Sequence, residues 1–265
     1  MRWIPVVALV LVASGASGQG APPVQPPPAI PTCTELAQSL TALIRNDGRL
    51  RDWAALGRYR EANRSLARPR ANEARVVFMG DSITDFWQQP RFGRFFEGRP
   101  YVDRGISGQT TAQMLVRFRP DVIALEPKVV VILAGVNDIA GNTGPMTDEE
   151  IEGNLASMAD LARAHGIRVV LASIMPVSAY HYKAGSTAAP QTTLRPMARI
   201  VAINEWIRKH AAENGDPYLD YFSAMVDPAG VLREDLSEDD LHPNLKGYDL
   251  MAPLADAAIA RALKR

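Results

Sequence analysis

Three apolar or β-branched runs punctuate the chain: residues 75–79, 129–134 and 168–174. Each is too short for a helix and lacks the alternation of a half-exposed strand, so each predicts a strand buried on both faces. Short segments at 101–104 and 218–221 predict two more strands. Between them, apolar residues recur at helical spacing over 110–125, 147–165, 196–214 and 246–263. Thr147 followed by Glu150 has the form of a capping box, and Gly166 and Gly215 stand where helices stop. Pro120 should interrupt the first of these helices. Five strands alternating with helices predict an α/β fold: a mainly parallel sheet covered on both faces. Residues 39–67 have helix-compatible spacing broken at Asn46-Asp47-Gly48, which reads as two helical pieces outside the sheet. The longest irregular stretch, 176–194, holds Tyr180, His181, Tyr182 and Lys183; loops of this length often wall a pocket.

The N-terminus departs from this pattern. Met1-Arg2, an apolar run to Ala13 and small residues after it have the three-part layout of a secretory signal peptide over residues 1–18. Six prolines in 21–31 then read as an extended linker, residues 19–34. A helical extension (35–70) and the α/β domain (71–265) complete the expected organisation, with a secreted or periplasmic location. No cysteine stands at the cleavage region, which argues against a lipid anchor, and the lone Cys33 excludes an intrachain disulfide. The 265 residues are 47% hydrophobic and 22% charged, with 29 basic and 29 acidic residues. That balance suggests neither a nucleic-acid surface nor a polybasic membrane patch.

Candidate chemistry clusters at the ends of the predicted strands. The first strand stops at Gly80, and Ser82 follows at the carboxyl edge of the sheet, where open α/β folds keep their sites. A serine there is a nucleophile only if a base, an orienting acid and oxyanion donors come from elsewhere. Of four histidines, His165 reads as a helix-end residue contacting terminal carbonyls and His210 as an exposed helix residue. His181, on the long loop, could touch substrate. His242 lies in Ser237-Glu238-Asp239-Asp240-Leu241-His242-Pro243, where proline holds it extended and Asp239, three residues back, can reach the imidazole. Asp240, two residues back, should point elsewhere. Gly108, within Gly105-Ile106-Ser107-Gly108-Gln109-Thr110, and Asn137, within Gly135-Val136-Asn137-Asp138, fall on the same rim and could donate to an oxyanion. Asp81, beside Ser82, reads as a residue that shapes the turn. Phe86, Trp87 and 180–182 are candidate pocket walls.

These segments resemble, in order, the conserved blocks of the SGNH (GDSL) hydrolase superfamily. Gly80-Asp81-Ser82 matches its first block, Gly108 and its neighbours the second, Gly135-Val136-Asn137-Asp138 the third and Asp239-Asp240-Leu241-His242-Pro243 the fifth. The resemblance is nearest to the branch of platelet-activating-factor acetylhydrolase catalytic subunits and related secreted bacterial esterases. It implies a flavodoxin-like three-layer α/β/α sandwich. It also implies a Ser82 nucleophile, a His242 base, an Asp239 orienter, and an oxyanion hole of Ser82 N–H, Gly108 N–H and the Asn137 side chain. Neither metal nor cofactor is implied. Gln109 departs from the aspartate many relatives carry. The implied reaction is hydrolysis of carboxylic esters, with short acyl or acetyl groups expected, on a small-molecule, glycan or lipid ester. Carbohydrate deacetylation of the acetylxylan type, lysophospholipase or thioesterase activity, and a non-catalytic glycan- or envelope-binding role are the alternatives.

Overall fold

A computed structural model describes residues 32–46, 51–92 and 95–264. The signal-peptide pattern, nearly all of the proline-rich segment and the Asp47-Gly48 break lie outside these residues. The chain divides into two compact units, Met1–Asn46 and Asp47–Arg265. In the first, a helix runs from Cys33 to Asn46.

The second unit is built on five parallel strands: β1 (Val76–Gly80), β2 (Tyr101–Gly105), β3 (Val129–Leu133), β4 (Arg168–Ala172) and β5 (Tyr218–Leu219). Their order in the sheet is β2-β1-β3-β4-β5, as expected of a flavodoxin-like three-layer sandwich. Every residue of β1 and β3 is buried, which is why these central strands are continuous apolar runs. Helices Thr111–Asp121, Asp148–Ala164 and Met197–Asn214 pack in series, and the last helix, Leu245–Leu263, packs on β3, β4 and β5. Among the described residues no helix is long and apolar enough to cross a membrane.

Most helix boundaries follow their sequence punctuation. Thr147 and Glu150 form the reciprocal capping box, and Gly215 ends its helix in the left-handed region. The helix carrying Pro120 runs one residue past it, to Asp121, and a 3₁₀ turn covers Ile123–Leu125. Two strands are shorter than the apolar runs suggest, for a local reason. Beyond Ala172 the backbone of Ile174 pairs not with a strand but with the Asn204 side chain, which accepts from Ile174 N–H (2.7 Å) and donates to Ile174 O (2.8 Å). At β5, Tyr221 N–H turns back to Leu219 O and Phe222 N–H bonds Ser173 Oγ, so the edge strand ends after two residues. The stretch 176–194 is irregular except for one helical turn, Gln191–Leu194.

Under the carboxyl edge of the sheet lies an unexpected buried charge. Arg117, on a helix of otherwise mixed character, is fully buried. Its guanidinium donates to Gly80 O (3.0 Å), Asp121 Oδ2 (3.1 Å) and Gln109 Oε1 (2.5 Å), tying the end of β1 to the loop after β2. Removing one member of such a network leaves the others buried without partners. Arg117→Leu should therefore lower unfolding free energy by about 3–5 kcal/mol in a urea titration. A loss below about 1 kcal/mol would mean the network contributes little.

Candidate active site

The carboxyl ends of β1, β2 and β3 and the turn before the last helix meet at one place. Gly80 lets β1 break sharply: a Cβ there would lie 2.0 Å from Thr84 Oγ1 and 3.1 Å from Leu133 O. Its carbonyl is held by Ile106 N–H (3.1 Å) and Arg117. Asp81 then caps the short helix Ser82–Asp85 by accepting from Ile83 N–H (2.9 Å). Tyr248, on the last helix, donates to Ile83 O (2.8 Å). These contacts leave Ser82 as the first residue of that helix.

The segment 237–243 closes on itself through a bridge between Ser237 and Pro243. Asp239 Oδ1 accepts from the N–H groups of Leu241 (3.1 Å) and His242 (2.8 Å), forming the turn. Its other oxygen, Oδ2, lies 2.6 Å from His242 Nδ1, and His242 Nε2 lies 2.9 Å from Ser82 Oγ. A carboxylate only accepts, so Nδ1 carries the proton and Nε2 is free to accept from the serine hydroxyl. Burial alone would raise the Asp239 carboxyl. Hydrogen bonds from the His242 ring and backbone, and from Leu241 N–H, outweigh it and hold this group well below the usual carboxylate range. Asp240 faces the other way, accepting from Ser178 Oγ (2.6 Å) and His181 N–H (3.0 Å), with His181 Nδ1 at 3.1 Å. It sits at φ +68° and pins the long loop to the turn beside His242.

The two candidate donor loops also join. Gly108 has φ +80°, a conformation suited to glycine, and a Cβ there would meet only Asn142 Nδ2, at 3.8 Å. Asn137 is buried and donates to Gln109 O (3.1 Å). Asp138 accepts from Thr111 N–H (2.9 Å) and Oγ1 (2.5 Å), tying the loop after β3 to that after β2.

Sequence reasoning missed Arg195. It is buried, donates to Val136 O (3.1 Å) and to Asn137 Oδ1 (3.4 Å), and so fixes which way the Asn137 amide points. Nothing in its irregular surroundings marks it; it stands 58 residues from Asn137. Among the candidate walls, Trp87 belongs to the core, packed edge-on against Phe78. Phe86 is half-buried, its ring 4.8 Å from the His242 ring. Tyr180 is exposed and bonds the Asp227 carboxylate. His165 Nδ1 lies 2.8 Å from Leu161 O at its helix end. His210, expected to be exposed, is half-buried and stacks on Trp206, with ring centres 4.7 Å apart. Among the described residues no cluster of three or more His, Cys, Asp or Glu could hold a metal ion.

Residues 78–250 match the model of the GDSL-like Lipase/Acylhydrolase family, and the chain belongs to that family. A Bacteroides fragilis protein of known structure is 42% identical, with a TM-score of 0.71 over 80% of this chain and 99% of its own. A GDSL-like lipase from Bacteroides thetaiotaomicron is 41% identical, with a TM-score of 0.70 over 79% and 98%. Esterase TesA of Pseudomonas aeruginosa is 46% identical over 81 residues, 29% of this chain and 38% of that protein. The chain spans about half the length, or less, of the curated relatives it matches.

Asp81 has a measurable signature. It is fully buried, one of its oxygens has no hydrogen-bond partner, and burial pushes its pKa up to about 6 despite the bond from Ile83 N–H. A carboxyl raised on folding costs stability wherever it must be ionised. That cost is complete above about pH 6 and vanishes below the unfolded value, about 3.9. Asp81→Asn keeps an acceptor for Ile83. It should stabilise the fold by about 1–3 kcal/mol at pH 8, the gain fading between pH 6 and 4. Denaturant titrations across that range check it; a gain independent of pH would mean that folding does not raise the Asp81 pKa.

Proposed function

We propose that this protein is a carboxylic ester hydrolase working by a two-step acyl transfer on Ser82. The observation that carries the reading is the unbroken hydrogen-bond chain from Asp239 through His242 to Ser82 at the edge of the sheet. His242 Nε2 takes the hydroxyl proton as Ser82 Oγ attacks the ester carbonyl carbon. The carbonyl π electrons move to oxygen, and the resulting oxyanion is held by the N–H groups of Ser82 and Gly108 and by the Asn137 amide. Asn137 uses one N–H on Gln109 O, and its second is available to substrate. The ester C–O bond then breaks, and the proton on His242 passes to the departing alcohol. Water attacks the acyl-enzyme, again losing its proton to His242, and the acid leaves with Ser82 regenerated. Asp239 stays ionised throughout, keeping Nδ1 protonated and stabilising the imidazolium.

Arg195 acts on this reaction through Asn137, and Asp240 by anchoring the loop beside the base. The Phe86 ring, beside His242, borders the space for the ester. The charged, apolar and small-residue N-terminus supports a secreted or periplasmic enzyme.

The decisive assay is turnover of p-nitrophenyl acetate. Ser82→Ala should reduce kcat by about 10⁴-fold or more while leaving the thermal unfolding midpoint unchanged. Retained turnover would overturn the assignment of the nucleophile. Asn137→Ala should lower kcat by about 10²–10³-fold, the usual loss for one oxyanion donor. A fall of less than about threefold would remove Asn137 from the hole.

A further inference from the structure

A cleft of about 570 Å³ opens beside Gly108, a size typical of small-molecule sites. One wall is made by Asp52, Trp53 and Ala55, which precede the residues matched by the family model. The segment is held in place by hydrogen bonds to the loop and helix that follow β2. Gln113 Nε2 donates to Trp53 O (2.6 Å) and Gln109 Nε2 to Ala54 O (2.8 Å). A few residues on, Tyr59 Oη donates to Gly105 O. Gln109 also accepts from Arg117, so its amide joins the upstream segment to the network under the site. A carboxylate at this position could accept but not donate.

The lining narrows what the cleft can hold. Among the described residues its lining contains no lysine or arginine, so none of these answers an anionic headgroup. The Asp52 carboxylate is occupied by the N–H groups of Leu56 and Gly57, both at 2.7 Å. Gln113 and Asn142 each spend one amide N–H on Trp53 O and Gly108 O and keep a second, and Thr143 bonds Thr110 Oγ1; a long acyl chain would bury these neutral polar groups at a cost. Beside them Trp53 keeps 48% of its surface exposed, a large aromatic left open in a cleft that Ala55 and Ile106 also line. An apolar face ringed by neutral hydrogen-bonding groups is complementary to a pyranose, which has C–H faces and a hydroxyl rim.

Taking the ester-hydrolase reading as given, we infer that this cleft is a subsite for the neutral sugar ring of an O-acylated glycan. Trp53 is the stacking surface and Gly108 marks the boundary with the reacting carbonyl. The N-terminal segment is thereby a specificity element that the matched family region does not contain.

The test compares sugar esters (acetylated xylo-oligosaccharides and penta-O-acetylglucose) with p-nitrophenyl acetate, for the wild type and for Trp53→Ala and Trp53→Phe. The readout is the ratio of kcat/KM for a sugar ester to that for p-nitrophenyl acetate. This ratio should fall about tenfold in Trp53→Ala, mainly through KM, and recover largely in Trp53→Phe. A ratio unchanged by Trp53→Ala would overturn the subsite. So would a wild type that hydrolyses p-nitrophenyl acetate but neither sugar ester, with the ester-hydrolase reading left standing. A wild type inactive on all three esters would overturn that reading itself, and the subsite with it.

Discussion

The 2.9 Å contact between His242 Nε2 and Ser82 Oγ joins residues 160 positions apart, and the architecture around it serves to keep that distance. One partner hangs from the first strand of the sheet and the other from the turn before the last helix. The two ends of the α/β unit must therefore be registered to within a fraction of an ångström. Tyr248 supplies part of that registration by bonding the first turn after Ser82 from the last helix. Arg117 supplies another part from below, holding the Gly80 carbonyl. A hydrogen bond weakens steeply once it lengthens or bends. A serine–imidazole contact set on loops alone would not hold its geometry; here the serine follows a buried parallel strand and the histidine precedes a helix packed on the sheet.

Around this pair the molecule accepts unfavourable burial of charge. Asp81 is ionisable, fully buried and incompletely bonded. Arg117 and Arg195 are buried guanidiniums, each lowered from its ordinary pKa by desolvation. Such groups contribute little net stability, because their attraction is offset by lost hydration. What they do contribute is direction. Arg117 fixes the loop carrying Gly108 relative to β1, and Arg195 fixes the Asn137 amide. Asp81 sets the turn that presents Ser82.

Much of this was legible in the chain. Buried strands announce themselves as unbroken apolar runs, and the Thr147–Glu150 box and Gly215 mark helix ends through short-range chemistry. The proximity of Asp239 to His242 was also readable, because a three-residue offset across a tight turn is a local constraint; Asp240, one residue nearer, does turn away to Ser178 and His181. What escaped depends on contacts distant in sequence. Arg195 lies in an irregular stretch without periodicity, and its role exists only once the loop after β3 is beside it. Arg117 carries no local mark of burial, and Trp87 reads as a candidate pocket wall and His210 as a surface residue. Burial of each is decided by packing partners that no local pattern reveals. The end of β4 is similar: an apolar run predicts strand to Ile174, but the Asn204 side chain replaces the next strand.

The central claim is that Ser82 is a nucleophile because His242 and Asp239 activate it. Reaction of the wild-type protein with a fluorophosphonate, followed by peptide mass spectrometry, addresses that claim without any assumption about substrate. A phosphonylated serine forms only where a hydroxyl is activated. The account predicts a single adduct, on Ser82, and no adduct when His242 is replaced by alanine. Labelling of another residue, or labelling of Ser82 undiminished in His242→Ala, would contradict it.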